Sequence, residues 1–192
     1  MTKRLDDVAE TRQRIVEATV ELHGTVGPAR TTIAGIAEQA GVTRLTVYRH
    51  FPDLDALFAA CSSHWYAQQP SRPDPVAWQA ISDPTERLRA GLSDLYRFFR
   101  NGAPTLILIY ADWDALPPRL QQENLARNAA LRDALVDAFP RASKRLRAVV
   151  GHATAFATWR SLCHDNGLSD KAAVDVMTAL ILAVSTPRTT RR

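Results

Sequence analysis

The sequence predicts an all-α protein of about nine helices, and two patterns carry that prediction. Apolar residues recur at steps of three and four along most of the 192 residues, which is the period of an amphipathic helix. In no segment do apolar and polar residues alternate for the length of a β-strand. Glycine, proline and asparagine separate the apolar runs and mark the expected helix ends.

The composition indicates a folded chain that works inside the cell. Hydrophobic residues make up 46% of the sequence, which is enough for a core. The net charge is only +4, and Arg188, Arg191 and Arg192 supply three positive charges, so charge alone does not indicate a nucleic-acid partner. Cys61 and Cys163 are too few for a disulfide framework. With no signal-peptide pattern and no apolar run of about 20 residues, we expect a cytoplasmic protein with no membrane partner.

Four helices are predicted in the first third of the chain. The first has one apolar stripe and ends at Gly27. The second, Ile33–Gln39, follows threonines that can cap it, and Gly41 separates it from a third helix of about residues 44–51, which Thr43 can cap. The first stripe consists of Ile15, Ala18, Thr19, Leu22 and Val26, and the apolar face of a fourth helix consists of Leu54, Leu57, Phe58, Cys61 and Trp65.

A proline-rich connector, residues 68–75, separates these helices from the remainder. The next helix begins with Asp83 as its cap and Pro84 at its first position, and we expect it to end at Asn101-Gly102. Later helices are expected at about 104–113, 117–139 and 144–165, with a last one that ends before Pro187. The predicted domains are a DNA-binding domain of residues 1–52, an effector-binding and dimerisation domain of residues 53–187, and a basic tail of residues 188–192.

Residues 33–51, IAGIAEQAGVTRLTVYRHF, meet the packing needs of a helix-turn-helix. Ala37 lies where the two helices come closest, so a larger side chain would hold them apart. Gly41 sits in the turn, where a positive φ angle is cheap only without a Cβ atom. Val42 and Val47 contribute to a small core that fixes the crossing angle. The spacing therefore predicts two short helices held at a defined angle.

The third helix presents a run of hydrogen-bond donors suited to phosphates or base edges. These are Thr43, Arg44, Thr46, Tyr48, Arg49 and His50. A helix, a glycine turn and a second helix also occur in ordinary all-α cores, which is the competing interpretation. The polar outer face, the place near the N-terminus and the bracing segment FPDLDALF favour DNA binding.

The stretch TTIAGIAEQAGVTRLTVYRHFPDLDALF resembles the DNA-binding domain of the TetR family of transcriptional regulators. The resemblance covers about residues 10–60, and the rest of the chain fits the family in length and helix count. It implies a homodimeric regulator, usually a repressor, that leaves a palindromic operator when a small molecule binds its C-terminal domain. It implies no cofactor and no catalytic residue.

By the same resemblance, the third helix enters the major groove. Thr43, Arg44 and Thr46 would face the bases, and Arg44 is the residue best suited to bind the O6 and N7 atoms of guanine. Arg49 could contact a base or a phosphate. Leu45 stands where the family often has a small residue or proline, and it could contact a thymine methyl group.

Other residues are expected to hold the DNA backbone. The resemblance implies a phosphate contact from Thr32 at the start of the second helix, and further backbone contacts from Tyr48 and His50. Leu54 replaces a lysine that is common in the family at this position, which removes one phosphate contact. Ala34 and Gly35 are small where the family often has polar or charged side chains, so base readout is expected to rest almost wholly on the third helix.

Aromatic residues suggest where an effector binds. Aromatic side chains at helical spacing are more often core than ligand pocket, yet a pocket between helices needs apolar walls with a few polar groups. By resemblance, Tyr110, Trp113 and Trp159 are candidates for the lining. Phe156 lies in the same segment as Trp159, and Trp65 is a further candidate. We expect a mostly apolar small molecule.

Small residues on the last two helices suggest the dimer interface. The resemblance implies that these helices pair with their copies in a two-fold arrangement, although internal packing explains the small residues equally well. The residues are Ala148, Gly151 and Ala155 on one helix and Ala172, Ala179 and Ala183 on the other.

Three alternatives compete with this interpretation. A metal site at Cys61 and His64 lacks the paired ligand motifs of structural zinc, so a core thiol and a surface histidine are favoured. An α-helical enzyme lacks a nucleophile–base pair, and Asp112 and Asp114 fall on different helix faces. A helix-turn-helix used only for protein interaction stays possible, and loss of sequence-specific binding in Arg44→Ala would exclude it.

Overall fold

The computed structural model describes residues 2–185, and it is all-α as predicted, with no strand in that range. The predicted basic tail lies outside the described residues. The α-helices are α1 (Thr2–Thr25), α2 (Ile33–Gln39), α3 (Arg44–His50), α4 (Leu54–Ala67), α5 (Pro75–Gln79), α6 (Pro84–Ala111), α7 (Pro118–Val136), α8 (Lys144–Ala153), α9 (Phe156–Trp159) and α10 (Asp170–Ser185). Two 3₁₀ turns, Pro28–Arg30 and Trp113–Ala115, and a π-helical segment, Arg160–Asp165, connect some of them.

Side-chain caps set the starts of several helices, and Asp83 is a cap that the sequence predicts. The Asp83 carboxylate accepts a hydrogen bond from the backbone N–H of Glu86 at 2.8 Å, ahead of α6. The Ser169 hydroxyl accepts one from Ala172 at 3.2 Å, ahead of α10. Such a bond satisfies one of the four N–H groups that have no partner inside the helix.

The predicted helix end at Asn101-Gly102 is wrong, because α6 continues through this pair and through Pro104 to Ala111. Gly102 has a packing role instead of a terminating one. A Cβ atom at this position would lie 2.8 Å from the indole ring of Trp65, so only glycine allows the ring to approach the helix so closely. The separate short helix expected after Pro104 is therefore the last part of α6.

Three smaller predictions also need correction. The pattern expected to run as one helix from Lys144 to Asp165 is interrupted at Thr154-Ala155, which separates α8 from α9. A short helix that the sequence does not predict, α5, begins at Pro75, the last residue of the connector. Leu54, expected on the apolar face of α4, is instead exposed at the start of that helix.

The described chain divides into two compact units, each made of two segments. The first contains residues up to Gln69 together with Gly102–Glu123, and the second contains Pro70–Asn101 together with the chain from Asn124 onward. These units reflect compactness, and the functional boundary at residues 52 and 53 stays a prediction.

The first unit has two clusters of buried residues. The larger joins α1 to α2, α3 and α4, around Ile15, Val16, Ile36, Val47 and Leu57. The smaller contains Phe58, Leu116 and Leu120, with Ile109 and Trp113 packed against it. The larger cluster is the one that fixes the helix-turn-helix.

The core of the second unit is built on the first turns of α6. Leu88, Leu92, Leu95 and Phe99 are buried, as their spacing predicts. The Trp78 indole Nε1 donates to Asp94 Oδ2 at 2.8 Å, which ties α5 to α6. None of the helices among the described residues is both long and apolar enough to span a membrane.

Candidate DNA-binding surface

The turn between α2 and α3 is a Schellman motif that requires glycine. The backbone N–H of Val42 donates to Ala37 O at 2.9 Å, and the N–H of Gly41 donates to Glu38 O at 3.1 Å. Gly41 has a φ of 66°, the positive value expected for this turn. A Cβ atom here would meet nothing within 4 Å, so the backbone conformation, not lack of space, is the reason for glycine.

The predicted packing residues lie at the contact between the two helices. Ala37 and Val47 are buried, and Ile36 is buried beside them. Val42 is half-buried and packs against the same cluster. The side of α3 that carries Val47 is thus fixed against α1 and α2, which determines the side that faces away.

Threonines cap both helices of the motif. The Thr32 hydroxyl accepts a hydrogen bond from Gly35 N–H at 3.0 Å, and the Thr43 hydroxyl accepts one from Thr46 N–H at 3.1 Å. The hydroxyls of Thr43 and Thr46 are 2.9 Å apart and hydrogen-bonded to each other. Thr32 and Thr43 are exposed, so their hydroxyls combine a structural role with access from outside.

The outward side of α3 combines two arginines with two apolar side chains. Arg44 and Tyr48 are one turn apart, as are Leu45 and Arg49, and all four are exposed. Leu45 is 59% exposed and Tyr48 is 55% exposed, which is high for side chains of this size. His50 and Thr46 are half-buried on the flank of this side. Four of the predicted DNA-contacting residues of α3 therefore form one exposed surface, which we call the α3 face (Arg44, Leu45, Tyr48 and Arg49).

Sequence reasoning missed a contact that braces the end of α3. The Arg12 guanidinium lies 4.7 Å from the centroid of the Phe51 ring, and Phe51 follows the last residue of α3. A cation over an aromatic face is attracted by the ring quadrupole. The contact crosses from α1, so no local pattern in the sequence indicates it.

Two of the candidate effector residues are neighbours in the first unit. The rings of Tyr110 and Trp113 stack with 5.8 Å between centroids and 11° between planes, and both are half-buried. Trp65 belongs to the same unit and packs on Gly102. The sequence makes all three candidates for a pocket lining, and this stays a prediction.

The other two candidates belong to the aromatic core of the second unit. Phe156 and Trp159 are buried and stack at 5.6 Å, and Phe99 lies against both. The Trp159 indole Nε1 donates to Asp170 Oδ1 at 2.9 Å, and Arg100 donates two hydrogen bonds to the same carboxylate. Although burial raises the pKa of Asp170, the hydrogen bonds from Arg100 and Trp159 hold it below its ordinary value.

Cys61 and His23 lie next to each other in the interior of the first unit. Cys61 is buried in α4, and its Sγ lies 3.5 Å from Nδ1 of His23, a residue of α1 that is also buried. Burial lowers the pKa of His23 to about 4 and raises the pKa of the Cys61 thiol to about 12, so both groups are neutral at pH 7. Among the residues that the structure describes, no three or more histidine, cysteine, aspartate or glutamate side chains form a group that could hold a metal ion.

Comparison with known families identifies the helix-turn-helix region. Residues 15–61 match the model of the N-terminal domain of the bacterial regulatory proteins of the tetR family. This range contains the end of α1, all of α2 and α3, and the first half of α4. It therefore contains the whole α3 face.

Curated relatives extend the similarity beyond that region. The regulator BetI of Burkholderia ambifaria, described as an HTH-type transcriptional regulator, is 31% identical over 145 residues, which cover 70% of this chain and 72% of BetI. The HTH-type transcriptional regulator TtgR of Pseudomonas putida is 50% identical over 46 residues, which cover 24% of this chain and 22% of TtgR.

Solved structures of low sequence identity share the fold. The TetR family regulator PfmR of Thermus thermophilus superposes with a TM-score of 0.63 at 19% identity, covering 93% of this chain and all of that one. A TetR-like regulator from Rhodococcus superposes with a TM-score of 0.58 at 22% identity, covering 90% of this chain and 93% of that one.

The relatives and the geometry agree on the class of protein. The relatives named above are transcriptional regulators, a class without catalytic activity, and the matched residues build a helix-turn-helix with an exposed α3 face. The chain therefore belongs to the tetR family of bacterial regulatory proteins and is a DNA-binding transcriptional regulator, not an enzyme.

Proposed function

We propose that this regulator is a homodimeric repressor that a small, mostly apolar ligand releases from a palindromic operator. The observation that carries the proposal is the α3 face, where Arg44, Leu45, Tyr48 and Arg49 point away from the buried Val47. Exposed leucine and tyrosine beside two arginines match the mixture of methyl groups, acceptors and phosphates in a major groove. The cytoplasm, where bacterial DNA lies, is the proposed place of action.

On this proposal, some residues of the motif contact bases and others contact the DNA backbone. Arg44 binds guanine through O6 and N7, and Leu45 contacts a thymine methyl group beside it. The hydroxyls of Thr43 and Thr46 face the same groove, and Arg49 contacts a base or a phosphate. Contacts with the DNA backbone come from Thr32, Tyr48 and His50 and set the register without reading sequence.

Dimerisation is proposed through α8 and α10. Along α10, apolar side chains at steps of three and four are exposed in the single chain, with Val176 at 44% and Leu180 at 51%. Ala179 and Ala183 continue this stripe, and Ala148 is exposed on α8, which packs against α10. A two-fold axis brings one such patch onto its copy, which buries the exposed apolar area of both.

The proposed effector site takes its aromatic lining from the sequence candidates. The stacked pair of Tyr110 and Trp113 is half-buried, and Trp65 lies in the same unit. Half-buried aromatic rings offer apolar area that a ligand can cover. Phe156 and Trp159 are buried in the second unit, and they stay candidates for ligand contact within that unit.

Fluorescence anisotropy on a labelled duplex tests the proposal. The duplex comes from the DNA that flanks the coding region of this protein, and a shuffled duplex of the same composition is the control, each measured at several salt concentrations. We expect the native duplex to bind at least about 10³-fold more tightly than the shuffled one. Equal, steeply salt-dependent binding to both duplexes would contradict specific recognition of this site.

A further inference from the structure

A carboxylate at the end of α6 holds the turn that leads into the helix-turn-helix. Oδ2 of Asp112 accepts a hydrogen bond from the backbone N–H of Ala29 at 3.0 Å, although the two residues are 83 positions apart. Ala29 lies in the 3₁₀ turn Pro28–Arg30, between α1 and α2. Both residues belong to the first unit, so this bond lies within one compact body.

Two glycines let α6 approach the end of α1 at this place. Gly27 has a φ of 86°, and a Cβ atom on it would overlap the carboxylate of Asp112. One turn earlier, a Cβ atom on Gly24 would lie 3.1 Å from Oγ1 of Thr105. The close approach extends over about two turns of α6, from Thr105 to Asp112. The hydrogen bond from Ala29 to Asp112 therefore belongs to a larger packing contact between α6 and the end of α1.

The turn that Asp112 holds is connected to α2 through Thr31. The Thr31 hydroxyl donates to Gly27 O at 2.9 Å, and Thr31 N–H donates to Pro28 O at 3.1 Å. The next residue, Thr32, is the cap of α2. A displacement of the turn therefore shifts Thr32 and with it the start of α2. Because the Schellman turn links α2 to α3, α3 shifts as well.

Asp112 is also the neighbour of the proposed effector residues. Tyr110 precedes it by two positions and Trp113 follows it directly, and their rings stack on each other. Asp112 is the residue before the 3₁₀ turn Trp113–Ala115, and its carbonyl accepts from Ala115 N–H at 2.9 Å. A ligand that moves the Trp113 ring would move the backbone that carries the carboxylate.

We propose that Asp112 is a positioning residue for the DNA-reading helices, and that the effector acts on them through its hydrogen bond to Ala29. The ligand step rests on the proposed function, whereas the positioning step does not. When the hydrogen bond is formed, it fixes the position of the turn Pro28–Arg30 and of the cap of α2. When the Tyr110–Trp113 pair moves, the bond breaks and α2 and α3 lose that position.

Hydrogen exchange on the full chain tests the positioning step. Asp112→Ala removes the acceptor, Asp112→Asn keeps an acceptor oxygen, and Asp114→Ala is the control for a carboxylate in the same turn. We expect the backbone amides of residues 29–40 to exchange about ten-fold faster in Asp112→Ala, the factor that one such hydrogen bond supports. Asp112→Asn and Asp114→Ala stay near the parent, and amides of α10 are unchanged in all variants. Parent-like exchange in Asp112→Ala would overturn the proposal.

A measurement without any substitution keeps the test valid if Asp112→Ala does not fold. In the ¹⁵N-labelled parent, the Ala29 amide is expected to exchange slowly, as a hydrogen-bonded amide does, although Ala29 is exposed. Exchange of this amide at the rate of an unprotected loop would overturn the proposal.

DNA binding separates this inference from the proposed function. On the flanking duplex, Asp112→Ala is expected to bind about ten-fold more weakly than the parent, and Asp112→Asn to bind nearly as well as the parent. Equal affinity of Asp112→Ala and the parent would overturn the positioning role. If the parent itself does not bind specifically, the proposed function fails, and the amide exchange of residues 29–40 still decides the role of Asp112.

Discussion

The hydroxyl groups of Thr43 and Thr46 lie 2.9 Å apart at the start of α3, and the Thr43 hydroxyl also accepts from the backbone N–H of Thr46. This pair couples the stability of the recognition helix to two side chains expected in the DNA groove. One substitution can therefore affect folding and binding together.

Thr43→Ala is expected to lower the free energy of unfolding by about 1 kcal/mol, because it removes the cap of α3. It should also weaken DNA binding, because the start of α3 frays. Thr43→Ser keeps the hydroxyl and is the matched control, which should unfold close to the parent. Urea unfolding followed by circular dichroism measures both, and equal stability of the alanine and parent proteins would show that the cap is unimportant.

Arg87 is a buried cation whose partners among the described residues are carbonyl oxygens. The residue is 8% exposed. Its guanidinium donates hydrogen bonds to Ile81 O at 2.7 Å, Gln79 O at 3.0 Å and Ala134 O at 3.3 Å. Arg87→Met would leave these carbonyls without that donor and should lower the free energy of unfolding by about 3 kcal/mol.

The matched control for this substitution is Arg97→Met on the same helix. Arg97 is largely exposed and pairs with Asp94 at 3.3 Å, so its loss should change the free energy of unfolding by less than about 1 kcal/mol. Denaturant unfolding of both variants gives the comparison. Similar losses from the two substitutions would contradict the structural role of Arg87.

Stability is expected to fall in mild acid because His23 is buried in its neutral form. Its imidazole lies 4.6 Å from the Phe58 ring, and burial lowers its pKa from 6.5 to about 4. Between these pH values the unfolded chain binds a proton that the folded chain does not. The free energy of unfolding therefore has its full value above pH 6.5. It declines as the pH falls toward 4, by at most about 3 kcal/mol.

His23→Phe isolates this contribution, because phenylalanine keeps an aromatic ring beside Phe58 and does not titrate. Urea unfolding at several values between pH 7 and pH 4.5 should show a smaller loss of stability in the variant than in the parent. An identical pH dependence in the two proteins would show that His23 is not the group responsible.

Leu180→Glu is expected to convert the proposed dimer into a monomer, because it places a charge in the apolar stripe of α10. Leu125→Glu on α7 is the control, since Leu125 is exposed to 59% against 51% for Leu180 and lies outside the proposed interface. Sedimentation velocity should give a dimer for the parent and for Leu125→Glu. A monomeric parent, or a dimeric Leu180→Glu protein, would contradict the proposed interface.

Features encoded within a few residues were predictable from the sequence. The caps at Thr43 and Asp83 and the positive φ of Gly41 follow from residue type and spacing, because each depends on backbone groups two to five positions away. The burial of Val47 follows from helical periodicity. The position of α3 and its buried side could therefore be predicted from the sequence, whereas its contacts with DNA stay a prediction.

Features set by distant contacts were not predictable. Asn101-Gly102 reads as a helix end, but the approach of Trp65 gives Gly102 another role and the helix continues. The hydrogen bond from Ala29 to Asp112 joins residues 83 positions apart, and no local pattern indicates such a partner. A single sequence records which residues are present, and tertiary packing decides which of them meet.

The central claim is that the α3 face reads DNA sequence through Arg44, and one comparison tests it most directly. The affinities of the parent and of Arg44→Ala are measured by anisotropy on the flanking duplex and on the shuffled duplex at one salt concentration. We predict that the parent prefers the flanking duplex and that Arg44→Ala loses about 1–3 kcal/mol of that preference. A variant that discriminates between the two duplexes as well as the parent does would contradict the assignment of Arg44 as the reading residue.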